Sequence, residues 1–380
     1  MRILHLADTH LGYSAYRKVT EDGVNQREID VYDAFTQCID YAIKNKPDLV
    51  LHAGDLFDSV RPTNRAITVA VQQILRLSKE NIPFIVISGN HETPKLKETG
   101  NIFTIFEHLD HVYPIHNNRY ETISLKSKDE TVSIHVIPQC QNPEEFETNL
   151  KKITLDKNAD FNLLLAHGAV AGIKEFKMNE FNELFIPVKN LKQDFDYIAL
   201  GHYHMYTKLQ ENAFYAGSTE HLSFTEADVQ KGFLEIDLGQ KLKHRFIPLV
   251  TRVMVDAPPL DCSTLPIEQI VNKVKEIVHA IDPNDKIIRI RLENIPAHTQ
   301  RGIDFHQIRD LGKTSMHFEV KSTTIKTEKE ILSEGYNMKS LGEEFEKFLI
   351  TQNISEKKML LSLGFHYIHK IEEEEKKHDP

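Results

Sequence analysis

What most narrows the folds open to this chain is a repeated unit: a short apolar, β-branched run that ends in a turn of Asp, Gly, Asn or His. The runs are Ile3 to Ala7, Leu49 to Ala53, Phe84 to Ser88, Val132 to Pro138, Phe161 to Ala166 and Tyr197 to Leu200. They are nearly continuously apolar, as strands covered on both faces are. Helical stretches separate them. Asp30 to Lys44 sets Val31, Ala34, Phe35, Cys38, Ile39 and Ala42 on one stripe, and Asn64 to Lys79 does the same with Ile67, Val71, Ile74 and Leu75. Strand alternating with helix from the start to about residue 235 predicts an α/β fold.

A chain of 380 residues exceeds one ordinary domain. Beyond residue 235 the pattern changes to a strand near Arg252 to Val255, a helix from Ile267 to Ala280, and strands Lys286 to Leu292 and Met316 to Val320. These predict a small α+β domain over 236–322. The remainder, 323–380, reads as a linker and two short amphipathic helices. Ser340 with Glu343 makes a capping box ahead of a stripe of Leu341, Phe345, Phe348 and Leu349. Asn353 breaks that helix, and a second follows Ser355 with Leu360, Leu363, Tyr367 and Ile371 on one face. Two such helices cannot cover both stripes with each other, so they either dock on the body or bind a partner.

Composition removes several function classes. No apolar run approaches the ~20 residues of a membrane span, and Met1 to Asp8 turns polar too early for a secretory signal. The expected location is the cytoplasm. Cys38, Cys140 and Cys262 are odd in number and without a Cys-x-x-Cys pair, which argues against disulfides and a zinc knuckle. A net charge of -10 gives no general support for nucleic-acid binding. Part of that acidity sits in the tail Glu372 to Glu375, however, and bound divalent cations change the local field.

The residues that end the runs carry the chemistry. Asp8-Thr9-His10, Gly54-Asp55, Gly89-Asn90-His91, His167-Gly168 and Gly201-His202-Tyr203-His204 each follow a strand. Parallel strand ends gather at one carboxyl edge of an α/β sheet, so these groups are expected to meet. Two carboxylates, an amide oxygen and several imidazoles are too soft a set for calcium and too oxygen-rich for structural zinc; manganese or iron fits best. Glycine before Asp55, Asn90 and His202 allows sharp turns and close approach. His5, His52, His108, His111 and His135 lie outside these motifs and read as structurally buried histidines.

The ordered set Asp-x-His, Gly-Asp, Gly-Asn-His, lone His and Gly-His-x-His resembles the calcineurin-like metallophosphoesterases over about residues 1–220. The fold this implies is a phosphoesterase sandwich with helices outside. The resemblance also implies one metal held by Asp8, His10, Asp55 and His204 and another held by Asp55, Asn90, His167 and His202; His91, beside the phosphate, is the expected catalytic residue, protonating the leaving oxygen or stabilising charge in the transition state. Within the family the segment Gly54 to Pro62, the spacing from Asp8 to Asp55 and the added C-terminal units are most similar to the meiotic-recombination-eleven and SbcD nucleases of archaeal type. That resemblance implies two Mn2+ per subunit, 3′ to 5′ exonuclease and single-strand endonuclease activity on DNA ends in double-strand break repair, and a homodimer. It further implies a DNA-capping role for 236–322 and a Rad-fifty type ABC ATPase bound through the C-terminal helices. Helices Asn64 to Lys79 and Ile102 to Leu109 are the candidate dimer interface, with ordinary packing as the alternative.

Many relatives in that family carry a second histidine three residues after the bridging aspartate, where this chain has Asp58. Asp58 cannot act as a cationic imidazole; it orients a water or a neighbouring histidine, or is neutral to catalysis. In the loop after the first motif, Tyr13, Tyr16, Arg17 and Lys18 mix aromatic and basic groups suited to DNA contact, with a plain solvated loop as the alternative. Two other functions use the same features: a small-molecule or cyclic-nucleotide phosphodiesterase with the same metals, and a non-catalytic end-tethering scaffold.

Overall fold

A computed structural model describes residues 1–170, 185–186, 194–325, 345–346, 349 and 357–375. Its centre is a pair of six-stranded sheets. In the first, β1 (Arg2–Leu6), β2 (Leu49–His52), β3 (Phe84–Ile87) and β4 (Val112–Ile115) run parallel. The hairpin of β13 (Gly232–Asp237) and β14 (Lys243–Pro248) adds antiparallel to the other edge of β1. The second sheet has the order β11 (Thr207–Lys208), β12 (Ala213–Tyr215), β10 (Tyr197–Gly201), β7 (Phe161–His167), β6 (Glu130–Ile137) and β5 (Glu121–Ser127). Its four inner strands β12, β10, β7 and β6 are parallel. A short parallel pair, β8 (Ala169–Val170) and β9 (Phe185–Ile186), stands apart.

The apolar runs are explained by a period of two. Ile3, Leu49, Leu51, Ile85 and Ile87 of the first sheet and Val132, Ile134, Leu163, Leu165 and Ala199 of the second form one buried cluster between the sheets. Leu4, Leu6, Val50, Phe84 and Val86 point the other way, into a cluster with α1 (Gln26–Asn45) and α2 (Asn64–Lys79). The second sheet turns Leu164, Ala166, Ile198 and Leu200 outward against Phe146 and Leu150 of α3 (Pro143–Lys151). Every inner strand is therefore covered on both faces, and the layers run helix, sheet, sheet, helix. The expectation of an α/β phosphoesterase sandwich with helices outside holds for this region.

α1 starts four residues earlier than its stripe suggested, because Asn25 caps it by accepting the Arg27 N–H at 2.9 Å. In α2 the buried stripe is Ala66, Ala70, Ile74 and Leu77, so Ile67, Val71 and Leu75 remain partly exposed. His5, His52 and His135 are buried as expected, whereas His108 and His111 are exposed. Those two lie in the turn before β4, where His111 takes φ 62°; a turn over the surface gives an imidazole water rather than core. All three cysteines are free and buried.

By contact the chain divides into two compact units. The first comprises 1–258, 271–291 and 304–321. Besides the sandwich it contains β15 (Met254–Asp256), which pairs in parallel with the first residues of β17 (Ile287–Ile295), and α6 (Phe305–Asp310). The first sheet itself runs on to Pro248, past residue 235. The second unit comprises 259–270, 292–303 and 322–380. There β16 (Leu260–Asp261) pairs with Leu292 and Glu293, followed by α5 (Ala297–Gly302). α4 (Ile267–Ile281) and β18 (His317–Thr324) complete the elements expected over 236–322. A C-terminal helix, α7, covers Lys357–Glu375, with Leu363 and Tyr367 exposed. The capping box at Ser340 and Glu343, and Leu341, Phe348, Asn353 and Ser355, lie outside the described residues. Among the described residues no helix is long and apolar enough to cross a membrane.

Candidate metal centre

The turns that follow β1 and β2 run side by side. Asp8 N donates to Gly54 O at 3.0 Å, His10 N to Asp55 O at 3.0 Å and Leu11 N to Leu56 O at 2.8 Å. This fixes Asp8 and Asp55 next to each other at the carboxyl ends of neighbouring strands. The second sheet meets them directly: both Asp8 carboxylate oxygens accept the His202 peptide N–H, at 2.9 and 3.1 Å. Asp8, His10, Asp55 and His202 all adopt positive φ, at 52°, 46°, 54° and 100°. Such backbone costs about 1–2 kcal/mol per non-glycine residue and persists where the surroundings enforce it.

Glycines permit the closeness. Gly54 has φ +95°, and a Cβ there would strike the His167 imidazole; a Cβ on Gly89 would strike the Asp55 carboxylate. The glycines before Asp55 and Asn90 thus serve as the sequence suggested, Gly54 through conformation and Gly89 through lack of volume.

All seven expected donors converge. Asp8, His10 and His204 form one buried group whose ligand atoms lie within 4.8 Å of one another, and Asp8, Asp55 and His167 form another. His10 Nε2 is 3.3 Å from His204 Nε2. On the other side Asn90 Oδ1 lies 2.9 Å from His167 Nε2 and 3.1 Å from His202 Nδ1. Asp55 stands between the sides, 3.3 Å from His167 Nε2 and 3.9 Å from His10 Nε2 through one oxygen, Oδ2. Its other oxygen accepts the His91 peptide N–H at 3.0 Å. His167 Nδ1 donates to Ala53 O at 2.8 Å, which turns its Nε2 into the cluster.

The electrostatics call for a cation. Asp8 and Asp55 are at most 1% exposed. Burial pushes the Asp8 carboxyl above its usual range, while Asp55 is held well below its own despite burial, by the imidazoles of His167, His10 and His91. Burial disfavours a charged His167, yet Asp55, Asp8 and the Ala53 carbonyl carry it up to about 9. Asp55 Oδ2 has no hydrogen-bond partner although fully buried. An orphaned carboxylate oxygen among imidazole and amide donors is the arrangement a divalent ion satisfies, so the residues present fit a metal pair.

His91 sits at the rim, 29% exposed, with Nδ1 at 3.1 Å from the Asp58 carbonyl and its ring 4.6 Å from that of His10. Asp58 also brings a carboxylate oxygen within 3.2 Å of His10 Nδ1. Tyr13 is tied inward, its hydroxyl donating to Leu222 O at 2.6 Å. Tyr16 stacks on His317 at 3.8 Å, Lys18 pairs with Asp285, and Arg17 is exposed. Three supporting residues went unnoticed in the sequence. Glu92, fully buried, accepts Gly89 N at 3.0 Å and Leu56 N at 3.2 Å, clamping the two turns that carry Asn90 and Asp55. Burial and Asp55 push its carboxyl well above the usual range. Glu226 accepts from His204 Nδ1 at 3.2 Å, and buried Lys231 holds Glu226.

Residues 1–206, over half the chain, match the family model described as calcineurin-like phosphoesterase. Proteins named DNA double-strand break repair protein Mre11 are similar over longer stretches. The one from Sulfolobus acidocaldarius is 32% identical over 308 residues, covering 77% of this chain and 75% of that protein. The chain belongs to the calcineurin-like phosphoesterases, on their Mre11 branch. The Methanococcus maripaludis Mre11 is 33% identical over 232 residues, 60% of this chain, and the Saccharolobus solfataricus Mre11 is 32% identical over 212 residues, 56% of this chain. The match spans only 59% and 51% of those two relatives' lengths. Calcineurin-like phosphoesterases are divalent-metal enzymes, and the donor cluster described above lies within the matched region.

Proposed function

We propose that this phosphoesterase is a manganese-dependent DNA nuclease, a 3′ to 5′ exonuclease and single-strand endonuclease that processes DNA ends in double-strand break repair. The observation that carries the proposal is the buried oxygen and nitrogen cage around the orphaned Asp55 oxygen, in a chain whose relatives bear a break-repair name. In this reading Asp8, His10, Asp55 and His204 hold one Mn2+, and Asp55, Asn90, His167 and His202 hold the other. Two bound ions supply Lewis acidity to activate water and to neutralise charge on the scissile phosphate. The chain's own part is orientation and proton delivery. With Nδ1 directed at the Asp58 carbonyl, His91 offers Nε2 to the leaving oxygen as general acid. Exposed Arg17 is the proposed phosphate contact. Tyr13 lines the same loop, and its hydroxyl is already engaged.

The remaining assignments belong to the same proposal: nuclease domain 1–235, DNA-capping domain 236–322, and linker with ATPase-binding helices 323–380. The exposed Leu363 and Tyr367 on α7 favour a protein partner, in this reading a Rad50-type ABC ATPase. Homodimerisation is supported by the partly exposed Ile67 and Leu75 of α2 and by exposed Ile105.

The test is degradation of end-labelled linear DNA with Mn2+, Mg2+ or chelator, comparing the native chain with His91→Ala and Asp55→Ala. The expected result is Mn2+-dependent shortening from the 3′ end, reduced at least ~10²-fold by His91→Ala and abolished by Asp55→Ala. Absence of DNA cleavage beside brisk hydrolysis of a soluble phosphodiester would move the chain to the small-molecule class.

A further inference from the structure

His10 and His204 belong to the same side of the centre, and behind each lies a carboxylate. Glu226, 3% exposed, accepts His204 Nδ1–H at 3.2 Å through Oε1. The glutamate is itself immobilised. Oε1 also accepts Ser223 Oγ at 3.0 Å, and Oε2 accepts Lys231 Nζ and the Leu222 peptide N–H. Lys231, 2% exposed, further donates to the His204 carbonyl at 2.9 Å and to Ser218 Oγ at 2.8 Å. Ring and backbone of His204 are thus gripped by one buried ion pair. Behind His10, Asp58 Oδ1 stands 3.2 Å from Nδ1, within ion-pair range though off the line of a hydrogen bond. On the other side His167 Nδ1 donates to the Ala53 carbonyl, with Asp8 Oδ1 at 3.9 Å.

A carboxylate that accepts Nδ1–H fixes the tautomer, aims Nε2 and makes the imidazole a stronger donor. Hydrogen bonds to an ionised acceptor are also roughly twice as strong as neutral ones. We infer that Glu226 is a positioning residue for His204 and that Glu226 and Asp58 together tighten the ion position at Asp8, His10 and His204. The inference rests on the two-ion reading proposed above, to which it adds the supports of one ion position.

The test is titration of the metal-free full chain with Mn2+, reading free ion by electron paramagnetic resonance. The native chain should take up two ions. Glu226→Gln should weaken one of the two steps by about 10–100-fold and leave the other within about threefold. Asp58→Asn, at a partly exposed site, should weaken the same step by a smaller factor. Native affinity at both steps in Glu226→Gln, or equal weakening of both, overturns the inference. Where Glu226→Gln fails to fold by circular dichroism, Asp58→Asn decides under the same rule. A native chain that binds no ion or one overturns the two-ion reading itself.

Discussion

Single residues at this centre carry two different kinds of burden, and titration separates them. His5, buried with Nδ1 at 2.8 Å from the Tyr197 hydroxyl, has its pKa lowered by burial from the ordinary 6.5 to about 3. The unfolded chain therefore binds a proton that the folded chain refuses between those values. Stability from neutral His5 is complete above about pH 6.5 and falls as pH drops toward 3, by ~1.4 kcal/mol per unit. Urea titrations in chelator should find His5→Asn flatter over this window by about one proton; an unchanged slope would assign the acid sensitivity elsewhere. The donors themselves were readable in the sequence because each lies in the turn that ends an apolar run, and Asp55, Asn90 and His202 carry a glycine directly before them. Glu92, Glu226 and Lys231 were not, since each acts through a partner brought close only by folding. Nothing around Glu226 marks it as the support of a histidine 22 residues earlier.

At the scale of elements, the sandwich interior sets the stability. Leu165 on β7 is fully buried between the sheets, among residues of both. Leu165→Ala should destabilise the chain by about 2–5 kcal/mol, measured by urea denaturation at fixed metal concentration, with the unfolding slope unchanged. Strands that are covered on both faces announced themselves as near-continuous apolar runs. Edge strands did not: β5 alternates half-buried and exposed residues along Glu121–Ser127, and β4 spans four residues. Continuous apolarity also hides which of two sheets a strand joins. The expected single carboxyl edge is in fact two edges, with Asp8, His10, Asp55 and Asn90 on the first sheet and His167, His202 and His204 on the second.

Across the molecule, distant segments are tied by a few charged groups. Arg252 donates to both carboxylate oxygens of Asp30 on α1, each at 2.7 Å, and to the Asp285 carbonyl at 2.9 Å. Burial opposes the charge on Asp30, but Arg252 and Arg27 hold its carboxyl below the usual range. Arg252→Met leaves Asp30 with Arg27 and Gln26 and should cost about 2–3 kcal/mol, less than the full loss of a buried pair, read as a lowered denaturation midpoint. A loss within error would mean that Arg27 and Gln26 suffice. The pairing of β1 with β13 sets Arg2 opposite Asp237, near the two ends of the first sheet's sequence. During synthesis at roughly 5–20 residues per second, one edge of β1 therefore stays without its native neighbour for on the order of ten seconds or more. Over most of that interval His202 and His204 have also not left the ribosome, so a nascent chain holds an incomplete cage and an open strand edge at once. Chaperone cover of β1, rather than early metal uptake, is what this order of events favours.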